Sequence, residues 1–595
     1  MTRMTAMTDL DRADSRQLSS RVRWVILGLL GLVFFVSGLQ QANLDAPAVD
    51  EGVDVSSGVA AWVHRDLRMV PEHPVLPKAI AALPALLAHP IVPEGESWDE
   101  VAWFDWSDDF VTANEDAGRL RQTFLLARVA VLVQGLMVAA VLYLLARRWF
   151  GPDGGLLAAG AWLTTPYVVG LGHFAMLDVP FTLATVGLAL LLTHWWDRPS
   201  DRRTIALGLA VGLALATRHT ALVLAVWVMV AVIVRLRARP RLAVRSIALV
   251  AVVSLIPLWG VYRGLAPAGP APEAKAHFES LLSYQSGRSP VVKLVSALPF
   301  PLEWRAGYAS LDYSSVGRPA SLAGQAWTGG RWWYFPVAAA LKLPATLLIA
   351  VGVGWLLALR RAARRRLLVV STLSPALGLW LVLVVQTMNL GLRLVLPSIA
   401  LAMVGVGALA EPVRSSLRAL PRTFPVPRSM ERRAWSALGT VVAVMVVATV
   451  QLGSMVLSAP HSLAWSPWPA TPPYRWVSDS NVDVGQAVFE VRDWVADHDH
   501  PYVAIDATRG LSVGGSSRQL LGADPAAIKG WVAVGVTTIR DTRRRELAWL
   551  RAYCPVGSIG GGSVLVYRFD RPPGPAPGPD RPAAPCFGDR WSTRG

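Results

Sequence analysis

Cysteine is nearly missing from this chain: Cys554 and Cys586 are the only two in 595 residues. Two thiols 32 positions apart make no metal-binding cluster and no redox pair of the Cys-x-x-Cys kind. Both lie beyond the last apolar run, where they can pair if that region faces an oxidising compartment, and two free thiols fit as well. Charge is scarce too. Only 16% of residues are charged against 53% hydrophobic, which excludes an ordinary soluble domain. The net charge of +16 would suit nucleic acid, but the arginines sit in short loops between apolar runs. They cluster at Arg147-Arg148, Arg202-Arg203, Arg235 to Arg245, Arg360 to Arg366 and Arg414 to Arg433. That is the charge pattern that sets membrane topology, and it argues against a nucleic-acid partner. Also missing is a small-x-small exit site after the first apolar run, Trp24 to Leu39, which therefore reads as a retained anchor.

What is present is a series of apolar runs long enough to cross a bilayer. Arg3, Arg12, Arg16, Arg21 and Arg23 precede the first run and hold the amino terminus in the cytoplasm. Further runs cover 121–145, 151–172, 179–196, 243–262, 336–359, 367–385, 394–410 and 437–457. The stretch 204–236 is apolar except at Arg218-His219, and reads as two short helices with that pair at their turn. The expectation is a polytopic α-helical membrane protein of about eleven crossings, amino terminus inside and carboxy terminus outside. Its expected parts are a cytoplasmic tail over 1–20 and a transmembrane domain over 21–458 with outer loops 40–118 and 263–335. A small extracytoplasmic α/β domain over 459–570 and a Pro-rich tail over 571–595 follow. Within that domain 486–497 and 540–553 have helical spacing, and 502–505, 531–536 and 563–569 read as strands. The 25 tryptophans read mostly as a membrane-interface belt.

This topology gathers the unusual polar residues on one face. Asp50 and Glu51 follow the first helix, and His73 and Lys78 lie in the same outer loop. His173 and Asp178 bracket the next outer turn, Arg218 marks the one after it, and Arg393 begins a late inward helix. Charged groups at the mouth of a membrane bundle are costly without a use. Their chemistry suits transfer of a group carried on a lipid phosphate. A carboxylate can take the proton of an acceptor hydroxyl. Lys78 and Arg393 can hold the phosphate, and stabilising its growing charge lowers the barrier. Simpler roles are open for each: Asp178 as a helix N-cap, Lys78 snorkelling toward headgroups, Arg393 as a helix-end anchor, and the histidines as packing residues.

The residues carry a family resemblance. Asp50-Glu51, then His73-Pro74-Val75-Leu76-Pro77-Lys78, Asp178, Gly391-x-Arg393 with Pro397, and Asp479-Ser480-Asn481-Val482-Asp483-Val484-Gly485-Gln486 occur in this order. The chain resembles the glycosyltransferase C superfamily, in the bacterial protein O-mannosyltransferase and aminoarabinose-transferase-like branch. Val75 and Val484 depart from the branch pattern, which has Pro and Trp there. The resemblance implies an inverting transfer from a polyprenyl-phosphate-linked sugar to an extracytoplasmic acceptor: a protein hydroxyl, an envelope glycan or a lipid. It places the enzyme in the plasma membrane with its site on the outer face. On this reading Asp50, Glu51 and Asp178 are catalytic, Asp50 being the base. Lys78 and Arg393 bind the donor phosphate, and His73, His173 and Arg218 support. Some members of the superfamily use a divalent cation, but the spacing here defines no metal ligand set. The rival from another class is a membrane transporter or lipid flippase, which predicts charges at mid-membrane depth and internal repeats.

Overall fold

A computed structural model describes residues 19–361, 365–385, 388–419, 431–573 and 583–587. Most of the expected tails over 1–20 and 571–595, with Arg3, Arg12 and Arg16, lie outside the described residues, as does 420–430 of the basic stretch. Among the described residues seven helices are long and apolar enough to cross a membrane, or eight if the bent pair Tyr334–Lys342 and Ala345–Arg360 is one span. This is a multi-pass membrane protein.

Two features separate that number from the eleven crossings expected. The helix Leu120–Leu163 counts once, yet Gly151 inside it has φ 77 and ψ 179. Only a residue without a Cβ takes that backbone readily. Pro152 then restarts the helix, and the chain doubles back. Trp162 Nε1 donates to the Gly135 carbonyl at 3.0 Å, and a Cβ on Gly155 would lie 2.7 Å from the Tyr143 carbonyl. The element is a tight antiparallel helical hairpin. The second feature is the stretch around Arg218-His219, which forms Asp201–Leu215 and Ala221–Leu236, each shorter than a full span. In the bent pair, Pro344 lacks the N–H that would continue the ladder, and the helix direction bends by 118° there.

The first helix, Ser20–Leu44, is capped by the Ser19 hydroxyl, which accepts from Val22 N. It stops at Asp45, whose extended backbone leads toward Pro47. The outer loop 40–118 then folds into helices of its own: Val49–Val63, Val75–Ala85 and Trp103–Asp116. Pro77 falls in the first turn of Val75–Ala85, where a missing N–H costs nothing. The loop 263–335 forms the helices Pro272–Ser286 and Leu302–Ser314 and an antiparallel hairpin, Pro319–Leu322 with Gln325–Thr328.

After the last long helix, Glu431–Ser458, the chain builds a five-stranded mixed sheet. Tyr502–Ala504 pairs in parallel with both Arg518–Gln519 and Gly530–Gly535. Val564–Phe569 runs antiparallel to Gly530–Gly535 and to Gly557–Ile559. The helix expected over 540–553 is instead a short α-turn, Val536–Arg540, followed by the 3-10 segment Arg545–Ala552. Cys554 and Cys586 form a disulfide.

Candidate active-site cleft

A cleft of about 830 Å³ opens between the membrane helices, the two outer loops and the region after the last helix. Asp50, Asp178, Arg218 and Arg393 line it together, with His73 at its edge. Asp50 and Arg393, 343 residues apart in sequence, form an ion pair. Asp178 and Arg218 form a second, at 2.5 Å. The Asp50 side chain keeps 43% of its accessible surface because it faces the open cleft. Burial pushes its carboxyl up, but the Arg393 guanidinium more than offsets this, with Arg318 and Arg218 adding to the field, and Asp50 stays below the usual carboxylate range. Arg393 Nε is buried with no hydrogen-bond acceptor among the described residues. One edge of its fork is thus held by Asp50 while another lacks a partner.

Three motifs distant in sequence interlock to hold this pair. Gly391 has φ +97, and a Cβ there would come within 2.1 Å of Ser480 Oγ. Asn481 Oδ1 accepts from Leu392 N at 3.0 Å, and Ser480 Oγ donates to the Leu390 carbonyl. The backbone around Arg393 is therefore clamped by Ser480-Asn481. The same loop continues against the segment before Asp50: Val49 N donates to the Val484 carbonyl at 3.0 Å and Ala46 N to the Gln486 carbonyl at 2.8 Å. Thr508 Oγ1 donates to the Pro47 and Ala48 carbonyls from the other side. Val484 takes part through its backbone carbonyl, so a side chain other than the branch's Trp leaves this docking intact.

The other expected site residues do not line the cleft. Glu51 is fully buried, and Arg128 grips it at both carboxylate oxygens, 2.9 and 2.7 Å away. It also accepts from Ala48 N and Ala175 N. This carboxylate closes the first turn of its helix and pins the turn before Asp178; it meets no solvent. His173 is likewise buried, with Nε2 2.9 Å from Asp45 Oδ2. Lys78 donates to the Val70 carbonyl at 2.7 Å and stands 3.4 Å from Asp54, behind the cleft wall. Its ammonium is already engaged and does not face the cavity, whereas Arg218, Arg318 and Arg393 do.

Several residues that line the cleft were not among the expected site residues, although Asp479 and Asp483 belong to the Asp479 to Gln486 motif. Asp54 follows Asp50 by one helical turn and so shares its face, a spacing that was readable. Burial lifts its carboxyl to about 7, against the pull of Lys78. Asp483 also reaches the cleft wall; burial and the nearby Asp506 lift its carboxyl to about 7. Asp479 lines the cleft with φ 54, a backbone region where Asp is among the tolerated residues. Arg318, from the hairpin of the second outer loop, had no local signal. His73 Nδ1 is buried without a hydrogen-bond partner among the described residues, His219 lies against the Glu72 backbone, and burial pushes both imidazoles well down. Among the described residues, the one cluster of three or more His and carboxylate donors close enough for a metal is Asp45, His461 and Glu490, outside the cleft lining.

Residues 120–262, the helical hairpin and the helices that follow it, match the family model described as dolichyl-phosphate-mannose-protein mannosyltransferase. The match bears out the resemblance read from the motifs. No curated protein matches the chain. Among solved structures, ArnT from Cupriavidus metallidurans bound to undecaprenyl phosphate is 16% identical, with a TM-score of 0.46 over 92% of this chain and 98% of that one. The Archaeoglobus fulgidus oligosaccharyltransferase tethered to an acceptor peptide is 12% identical, with a TM-score of 0.45 over 96% of this chain and 77% of that one. The S. cerevisiae Pmt1–Pmt2 complex bound to the sugar donor is 18% identical, with a TM-score of 0.29 over 53% and 40%.

Proposed function

We propose that this protein is an inverting glycosyltransferase that moves a sugar from a polyprenyl-phosphate donor to an acceptor hydroxyl on the extracytoplasmic face of the plasma membrane. The observation that carries this reading is the Asp50–Arg393 pair facing a large polar cleft, beside the second pair Asp178–Arg218. The match of 120–262 to protein mannosyltransferases supports the reaction class. Counting the bent pair as one span, the hairpin as two, and Asp201–Leu215 with Ala221–Leu236 as two more gives eleven crossings. With the amino terminus inside, the cleft then faces outward. The Cys554–Cys586 disulfide suits the same side.

In this mechanism the donor phosphate competes with Asp50 for the Arg393 fork, since a phosphate offers the guanidinium a planar bidentate match. Asp50 is released as the phosphate docks. It accepts the proton of the acceptor hydroxyl while that oxygen forms a bond to the anomeric carbon. The bond from that carbon to the phosphate oxygen breaks on the opposite side, so the configuration inverts. The electron pair leaves on the lipid phosphate, whose added charge Arg393 and Arg218 stabilise. Asp178 holds Arg218 in place. The decisive test measures transfer of radiolabelled mannose or pentose from polyprenyl phosphate in membranes carrying the wild type or Asp50→Asn. Equal rates for the two, at equal protein levels, would sink the assignment.

A further inference from the structure

Asp45, His461 and Glu490 come from three separate parts of the chain: the end of the first membrane helix, the stretch just after the last one, and the helix Val488–Ala496 of the outer region. Their ligand atoms lie within 4.8 Å of one another. His461 Nδ1 and Glu490 Oε1 are 3.7 Å apart. An ion with bonds of about 2.1 Å in a tetrahedral site holds its ligands roughly 3.4 Å apart, so this pair already stands near ligand spacing. Asp45 is 5% exposed, and its Oδ1 is buried with no hydrogen-bond partner, as is Glu490 Oε1. Glu490 has a backbone contact from Gly560 and the His461 imidazole beside it, but two carboxylates brought together at one imidazole, one with an oxygen that has no donor among the described residues, are a costly arrangement unless something positive lies between them.

The surroundings hold these groups in register. His173 Nε2 engages Asp45 Oδ2 at 2.9 Å, which orients the carboxylate and leaves Oδ1 outside that contact. This is the kind of outer-shell contact that positions metal ligands. The Asp45 backbone carbonyl accepts from Arg128 at 2.7 Å. Gln41 Oε1 accepts from Ser462 N at 3.1 Å, fixing the residue after His461 to the first helix. The turn at Gly561 presses on the imidazole so closely that a Cβ there would lie 2.4 Å from His461 Cβ.

We infer that Asp45, His461 and Glu490 form a binding site for one divalent transition-metal ion of the zinc class, which staples the outer α/β region to the first membrane helix. One imidazole and two carboxylates suit zinc, and water completes the coordination. The site lies outside the sugar-transfer cleft, and its role is structural.

The test uses the full-length protein purified in detergent, stripped with EDTA, equilibrated with ZnCl2 and desalted. Elemental analysis then gives zinc per chain, and thermal unfolding is followed with and without Zn2+. The wild type retains about one zinc per chain, and zinc raises its Tm, because a ligand that binds the folded state stabilises it. His461→Ala and Glu490→Gln each lose at least about five-fold of the retained zinc and the Tm response, while His89→Ala keeps both. If His461→Ala fails to fold, the nearly isosteric Glu490→Gln carries the comparison. A wild type that retains no zinc overturns the inference, and so does a Glu490→Gln variant that retains as much as the wild type.

Discussion

Asp50 and Glu51 are neighbours in sequence, both in the first turn of one helix, and each pairs with an arginine from a distant membrane helix. Their surroundings are opposite. Asp50 faces the cleft with 43% of its side-chain surface open, and its partner Arg393 has an edge with no hydrogen-bond acceptor among the described residues. Glu51 has no open surface, and Arg128 spends its whole fork on Glu51 and on the Ala42, Asp45 and Ala46 carbonyls. One step along a helix turns a side chain by about 100°. That turn separates a pair that faces an open cleft from a pair that is closed inside the scaffold.

The largest expected effect comes from breaking the open pair. Asp50→Asn should lower transfer by about 10²–10⁴-fold, the range for loss of a general base, with Tm and expression unchanged. The closed pair should respond the other way round. Glu51→Gln leaves the Arg128 charge buried and should cost roughly 3–5 kcal/mol of stability, read as a fall in Tm and in folded yield. Replacing both partners with apolar residues, Glu51→Leu with Arg128→Met, should recover part of that loss. An Asp50→Asn protein as unstable as Glu51→Gln would erase the contrast.

Smaller effects sharpen it. Arg393→Lys keeps the charge but loses the fork, and should raise KM for the lipid donor by roughly 10-fold or more. Gly391→Ala forces a Cβ to 2.1 Å from Ser480 Oγ at φ +97. It should lower Tm by an amount equivalent to about 1–3 kcal/mol, partly relieved by Ser480→Ala. The smallest concerns pH. Burial first, and then Asp506, raise the Asp483 carboxyl from its ordinary 3.8 to about 7 in the folded protein. The folded state therefore holds this proton more tightly than the unfolded chain. The stability it contributes is full below pH about 4 and is lost as pH rises through about 7. The Tm of the wild type should fall over that window, and Asp483→Asn should flatten the fall.

Much of this architecture was readable from local composition. The apolar runs became helices where they were expected, and the pair Arg218-His219 does mark a turn between two short ones. Asp50, Asp178, Arg218 and Arg393 do share one cleft. The misplacements have a common cause. Lys78 looked like a free cation because its partners, Asp54 and the Val70 carbonyl, become neighbours only when two outer helices pack. The Asp479 to Gln486 segment departs from the branch pattern at Val484, but its contacts with the chain before Asp50 run through backbone groups that no side-chain pattern reports. Arg128 passed as one more charge in an apolar run, although it is the most heavily engaged arginine beside the site.

By itself, then, the sequence determined a multi-pass membrane protein of mannosyltransferase-like type and the residue types its chemistry draws on. Hydropathy and loop charge act locally, and the bilayer reads them directly. Only the tertiary structure decided which carboxylate faces the cleft, which cation is already spent, and that Asp45, His461 and Glu490 meet. Those outcomes depend on the rotation of each helix and on contacts between segments hundreds of residues apart, where burial and pairing, rather than residue type, determine what a charged group can do.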